Sequence, residues 1–193
     1  MFLLKDNYWE IKKTKKKGFG VFTKKKISKG TIIGDYTGLV LRPQDAFVDE
    51  SNFYLMYYHD NAVIAPDLKK SGIHLLNHSC APNRWIYTYR GHTLFFTLRK
   101  IMIGEELTIS YLLSPEDELC NPCVHICKCE SEFCTGTMHL SKDKYKLWQK
   151  FQKEEGKKTK KMKVVYGKNL PMLTSYPAKI ANNPIYAMIF SRS

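Results

Sequence analysis

The chain has 193 residues, 44% of them apolar, which suffices for one compact core of catalytic size plus an appendage and argues against two large domains. Its 31 Lys+Arg against 18 Asp+Glu give a formal charge of +13, an excess that attracts polyanions such as nucleic acid or nucleosome surfaces but also simply keeps a protein soluble. No run approaches the about 20 apolar residues of a membrane helix, and Met1-Phe2-Leu3-Leu4 meets charge at once, so neither a transmembrane segment nor a signal peptide is expected and the chain is read as soluble and intracellular.

In chain order, Tyr8–Ile11, Gly20–Phe22, Thr31–Ile33 and Tyr36–Val40 are short β-like runs separated by lysine or glycine turns. Phe53–Tyr58 and Asn61–Ile64 predict a hairpin around His59-Asp60-Asn61, and Arg84–Tyr89 with Thr93–Leu98 predict another around Arg90-Gly91-His92. Many short strands at irregular spacing imply a mostly β domain. After Ser141, a fitting N-cap, Tyr145, Trp148 and Phe151 recur at helical spacing, so a helix is expected over 142–155 with Gly156 as its stop. The run from Lys157 to Lys163 reads as a solvated linker before a nuclear-import or polyanion-binding patch, and 164–193, with Pro171, Pro177 and Pro184, as an irregular segment packed on the body.

Five of the six cysteines fall between Cys120 and Cys134. A disulfide framework would spread them along the chain, so the clustering points to metal. Cys127-x-Cys129-x4-Cys134 supplies three thiolates, and Cys80 is available as the fourth ligand of a closed tetrahedral zinc site. Cys120 and Cys123 form a further Cys-x-x-Cys. For that pair a second metal with His125, redox cycling and no chemical role all stand open, the last being the leading reading.

The most informative segment is Leu75-Leu76-Asn77-His78-Ser79-Cys80-Ala81-Pro82-Asn83, which packs amide, imidazole, hydroxyl and thiol directly behind apolar residues. It resembles the Asn-His-Ser-Cys-x-Pro-Asn signature of SET-domain lysine methyltransferases. Three more segments stand in that family's order: Lys17-Gly18-Phe19-Gly20-Val21-Phe22, Gly34-Asp35-Tyr36-Thr37-Gly38, and Gly104-Glu105-Glu106-Leu107-Thr108-Ile109-Ser110-Tyr111. The likeness spans about residues 8–140 and implies a β-clip of several small sheets with a knot-like C-terminal crossing. The cysteine motif is similar to the family's zinc-bound post-SET loop. The expected division is a SET domain over 1–115, the post-SET segment over 116–140, and a C-terminal helical and irregular extension over 141–193.

The same resemblance implies a protein lysine methyltransferase using S-adenosylmethionine. Tyr111 would be the catalytic tyrosine and Tyr54 either a channel tyrosine near the substrate nitrogen or a strand residue with a buried ring, while Tyr36 reads first as an ordinary packed tyrosine and second as a member of the channel wall. Gly18, Phe19, Gly20, Asn77, His78 and Tyr111 would line the donor pocket, with Met138 and His139 covering the adenine. Cys80, Cys127, Cys129 and Cys134 would hold zinc. Ile109 stands where many members carry Phe or Tyr, leaving room for methylation beyond the first step. His74 replaces a frequent arginine, which removes an internal ion pair. The implied partner is a basic, lysine-containing protein segment, a histone tail in the first instance, with nucleosomal DNA contact, no membrane and a monomeric chain. The nucleus, of its own or a host cell, is the expected place of action. The peptide would add as a strand beside residues 41–65, and Asp45, Asp49, Glu50, Asp60, Glu116, Asp117 and Glu118 read either as an acidic rim facing it or as solvated loop charge. A non-catalytic SET-like module is the alternative. A zinc-dependent nucleic-acid-binding protein is a weaker one, because the cysteines lack paired zinc-ribbon spacing.

Overall fold

The computed structural model describes residues 1–46, 54–59, 61–116, 120, 122–159 and 163–180. Among these, ten strands and two α-helices follow in order: β1 (Trp9–Lys13), β2 (Phe19–Thr23), β3 (Ile32–Asp35), β4 (Leu39–Leu41), α1 (Pro43–Ala46), β5 (Met56–His59), β6 (Ala62–Ala65), β7 (Asn77–His78), β8 (Arg84–Tyr89), β9 (His92–Thr97), β10 (Thr108–Ile109) and α2 (Lys142–Thr159). They form four small sheets, ordered β1-β2, β3-β9-β8, β4-β6-β5 and β10-β7. The expected mostly β architecture with a C-terminal helix is what the chain adopts. No helix among the described residues is long and apolar enough to cross a membrane.

Both predicted hairpins form, β5 with β6 and β8 with β9. Arg90 and Gly91 turn the second one with φ of 47° and 81°, the left-handed pair that matches strand twist in a two-residue loop. The predicted strand over Tyr36–Val40 is interrupted: β3 ends at Asp35 and β4 starts at Leu39. The break lies where Gly38 crosses β6. A Cβ on Gly38 would come within 2.1 Å of the Ala65 carbonyl oxygen, so this glycine permits a backbone crossing that a continuous strand would not make.

One core joins Val21, Ile33, Tyr36, Ile64, Phe95 and Leu107 with their neighbours beneath the sheets. A second lies between β8-β9 and α2, where Trp148 meets Trp85 edge-on at 5.9 Å and Phe151 at 5.3 Å. The helix starts as expected, with the Lys144 amide donating to the Ser141 hydroxyl at 3.4 Å. It does not stop at Gly156 but runs to Thr159. A glycine ends a helix when it takes a left-handed φ beyond the last turn, and inside a helix it costs only about 1 kcal/mol. Lysines beyond it favour continuation, being good helix formers that also suit the negative end of the helix dipole. The residues 160–162 of the basic run lie outside the described residues.

The proline-rich tail packs on the body where it is described. The Val40 amide donates to the Lys168 carbonyl at 3.0 Å, Gly167 to Val40 at 2.8 Å and Leu170 to Gly38 at 2.9 Å, so residues 167–170 cover the β4 edge of the β4-β6-β5 sheet. Ile32 donates to Ala178 at 3.1 Å and Ile180 to Gly30 at 2.8 Å. Pro184 lies outside the described residues. A cavity of about 200 Å³ between this tail and β4 is lined by Val40, Tyr58, His92 and Leu170 among others, and by none of the predicted site residues.

Candidate functional site

The pairing that builds the site is the one parallel pair among the described strands. β7 and β10 lie side by side, Asn77 opposite Thr108 and His78 opposite Ile109. Two segments about thirty residues apart, each carrying a predicted motif, are thereby welded together. Asn83, buried, fixes the join. Its amide donates to the Glu106 carbonyl at 2.8 Å and its carbonyl accepts from the Thr108 amide at 2.9 Å.

The glycine loop reaches the same junction. Gly18 has φ of +73°, and the Thr14 amide and hydroxyl both donate to its carbonyl, at 2.7 and 3.0 Å. The Asn77 amide donates to the Phe19 carbonyl at 2.9 Å and to Glu106 Oε1 at 2.8 Å. Lys17 Nζ pairs with Glu106 Oε2 at 2.5 Å. A Cβ on Gly20 would lie 2.5 Å from Glu106 Oε1 and 2.8 Å from Asn77 Nδ2. The bare backbone of Gly20 is therefore a condition of this network, and the Phe19 ring beside it is 66% exposed.

Tyr111 leaves β10 along the same seam. Its hydroxyl donates to the Leu76 carbonyl at 3.2 Å, its amide donates to His78 Nδ1 at 3.1 Å, and its ring meets the His78 ring edge-on at 5.3 Å. His78 accepts at Nδ1 and is therefore in a neutral form. Burial, helped by the Lys17 charge, lowers its pKa to about 4. Burial, with Tyr54 and Glu106 adding to it, pushes the Tyr111 phenol up to about 12 against an opposing hydrogen bond from the His78 backbone, although the residue as a whole is 43% exposed. The ring is open on one side while its polar end is desolvated. Tyr36 is buried, stacks on Phe95 at 6.1 Å, and its hydroxyl donates to the Tyr54 carbonyl. Burial, then the neighbouring Tyr111 and Tyr54, raise its pKa. Tyr54 is 39% exposed with its ring edge-on to His74 at 5.5 Å, so His74 supports a tyrosine where an ion pair was expected to be lost. Ile109 is buried in the main core, and its carbonyl accepts from the Ser79 amide at 2.9 Å.

Cys80 follows β7 directly and meets the C-terminal cysteines. The sulfurs of Cys80, Cys127, Cys129 and Cys134 all lie within 4.8 Å of one another, with Cys80 and Cys127 at 3.6 Å. Four sulfurs around a zinc at about 2.3 Å stand about 3.8 Å apart, so the donor set fits zinc in chemistry and in size. Burial pushes the Cys80 and Cys127 thiols up. At Cys129 burial acts the same way but is outweighed by donors from the Cys80 and Ser131 backbone and the neighbouring thiols, which bring it down to about 7. Met138 is half-buried, its amide donating to the His125 carbonyl at 2.8 Å. The His139 ring, expected over an adenine, faces Cys120 and Cys123 instead.

Glu106, Lys17 and Asn83 were not singled out in the sequence, although each sits inside or beside a quoted motif. None carries a local signal, Lys17 closing a run of lysines and Glu106 following Glu105, and the partner of each is 23 to 89 residues away. Of the acidic residues expected to face a peptide, Asp45 and Glu116 are exposed. Asp49, Glu50, Asp60, Asp117 and Glu118 lie outside the described residues, as does Phe53.

Residues 18–112 match the family model of the SET domain. Over 118 residues, 53% of the chain, the sequence is 36% identical to the variant-silencing SET domain-containing protein of Plasmodium falciparum (isolate 3D7). Over 137 residues, 65% of the chain, it is 32% identical to histone-lysine N-methyltransferase ash1 of Drosophila melanogaster. Over 138 residues, also 65%, it is 30% identical to the H3 lysine-36 specific histone-lysine N-methyltransferase of Saccharomyces cerevisiae. The chain spans 5%, 6% and 18% of the length of these three relatives. Residues 18–112 are therefore a SET domain.

Proposed function

We propose that this chain is a protein lysine N-methyltransferase that takes its methyl group from S-adenosylmethionine and acts on a histone tail in the nucleus. The observation that supports this most is the convergence of Gly18–Gly20, Asn77–His78 and Tyr111 on the β7-β10 seam. S-adenosylmethionine supplies a methyl carbon on a sulfonium sulfur. Gly18, Phe19, Gly20, Asn77 and His78 would hold it, Gly20 because it leaves room and Asn77 because its amide is already aimed by Phe19 and Glu106.

The chain's own task is to align an uncharged lysine amine with that methyl and to keep water away. Tyr111 serves as an oriented dipole. Its proton is committed to the Leu76 carbonyl, so the phenol oxygen turns its lone pairs toward whatever enters beside it. A phenol raised to about 12 stays neutral in any working buffer and is not a general base. The amine would give up its proton to solvent before alignment, which a bound sulfonium charge would favour. Tyr54, held against His74, and Tyr36, behind it, would wall the channel. The zinc bound by Cys80, Cys127, Cys129 and Cys134 would tie the post-SET loop to the end of β7.

The peptide route follows from sheet edges. Residues 167–170 cover β4, which among the described residues leaves β5 as the edge where a substrate strand would add, just after Tyr54. Two of the three relatives carry histone-lysine N-methyltransferase in their names, and one specifies lysine 36 of H3, so that lysine is the first to examine. Ile109 offers no hydroxyl to hold water against the amine and supports products beyond monomethyl-lysine.

The test is to incubate zinc-loaded protein with S-adenosylmethionine and core histones or nucleosomes, and to follow intact mass. Gains in methyl steps that fall at least about 100-fold in Tyr111→Phe and in Asn77→Ala are expected, as for loss of a preorganised dipole. Donor binding with no gain on any histone would move the substrate elsewhere, and absence of donor binding would leave a non-catalytic SET module.

A further inference from the structure

Residues 113–140 raise a question of folding. Among those described, none belongs to a helix or strand and only Cys127 and Leu140 are buried. Val124 is 72% and Ile126 58% exposed, so the hydrophobic effect does little to hold the stretch together. The four-cysteine set accounts for 127–134. It leaves unexplained what fixes 120–126 against 137–140, where Ile126 bridges Thr137 and Leu113 bridges His139.

The geometry points to a second zinc site, with two thiolates and two imidazoles, made by Cys120, Cys123, His125 and His139. One donor atom from each of the four lies within 4.8 Å of the others. The Cys120 sulfur is 3.5 Å from His125 Nδ1 and 3.4 Å from His139 Nε2, and the Cys123 sulfur 4.0 and 3.4 Å from the same nitrogens. Zinc bonds of about 2.3 Å to sulfur and 2.0–2.1 Å to nitrogen put tetrahedral sulfur and nitrogen ligands about 3.6 Å apart. The two sulfurs are 3.1 Å apart, closer than the about 3.8 Å of two zinc-bound sulfurs but well beyond the about 2.05 Å of a disulfide. The two imidazole rings stand at 90° with centroids 5.0 Å apart, so they approach the centre from different directions.

The surroundings of His139 fit the same role. Its Nδ1 is bonded to the Ser114 carbonyl, which can only accept, so Nδ1 carries the hydrogen and Nε2 presents its lone pair to Cys120 and Cys123. A carbonyl or carboxylate behind the ring is the usual arrangement of a metal-ligating histidine. Two sulfurs and two imidazole nitrogens in a tetrahedral set select zinc over harder cations. The site would pin the segment leaving Tyr111 to the strip that precedes α2. The sequence alone offered Cys120 and Cys123 only His125 as a further ligand, because His139 lies 16 residues beyond Cys123.

The test is a metal count on the whole protein, independent of any methyl transfer. Native mass spectrometry and elemental analysis are expected to give two zinc ions per chain. Cys120→Ser with Cys123→Ser should leave one, Cys127→Ser with Cys129→Ser should leave one, and His139→Ala should weaken the second zinc at least about 10-fold in chelator competition. Cobalt loading of the Cys120/Cys123 variant should leave only the spectrum of an all-sulfur site. One zinc in the wild-type chain, two retained after removal of Cys120 and Cys123, or a mass two hydrogens light from a Cys120–Cys123 disulfide would each overturn the assignment. Donor binding followed in the same samples separates this outcome from failure of the methyltransferase reading.

Discussion

At the scale of single residues, the site depends as much on what is missing as on what is present. Gly20 has Glu106 Oε1 and Asn77 Nδ2 where a Cβ would stand, and both are side-chain ends held by Lys17 and the Phe19 carbonyl. Gly20→Ala should displace the amide and the carboxylate, not the backbone. We expect S-adenosylmethionine affinity to fall at least about 10-fold by calorimetry, the equivalent of about 1.4 kcal/mol, while thermal stability moves little. Gly38→Ala contrasts with it, because the added carbon meets the Ala65 backbone at 2.1 Å and backbone cannot swing aside. About 1–3 kcal/mol of lost stability is expected in urea titration, as for other overpacking changes. Ile109 belongs to a third kind. Ile109→Tyr should shift products toward monomethyl-lysine in mass spectra, and an unchanged distribution of higher methyl states would remove Ile109 from control of the product.

At the scale of elements, α2 shows what was legible and what was not. Its start at Ser141 and its apolar face of Tyr145, Trp148 and Phe151 could be read from spacing, because capping and helical periodicity are local. Its end could not, because Gly156 breaks a helix only if the chain beyond it turns away. The hairpins were legible for the same local reason, whereas the parallel β7-β10 pair, which makes the site, joins residues whose partnership has no local signature. The motif resemblance brought those residues together in advance. It did not reveal Glu106 and Asn83, which are the polar fasteners of the seam. The partner of α2 was likewise invisible until Trp148 was found against Trp85. Trp148→Ala should cost about 3–5 kcal/mol, measured by denaturant unfolding of the zinc-loaded protein, with both zinc sites still filled in the fraction that folds.

At the scale of the whole molecule, a charge of +13 sits on a chain proposed to work where the substrate is itself basic. The excess cannot favour a free histone tail, which it repels at long range. It can favour DNA, and so a tail that is presented beside DNA. The two contributions separate by salt, since each phosphate neutralised adds about 0.9 to the slope of log affinity against log salt. If about four phosphates are contacted, nucleosome binding should weaken about 100-fold between about 50 and 200 mM salt, as read by gel shift or fluorescence anisotropy. Methylation of a free H3 peptide should hold or rise over the same range, because screening removes repulsion between like charges. Parallel loss on peptide and nucleosome would place the salt-sensitive step in the active site, and a flat nucleosome curve would mean that the lysine-rich surface serves solubility alone.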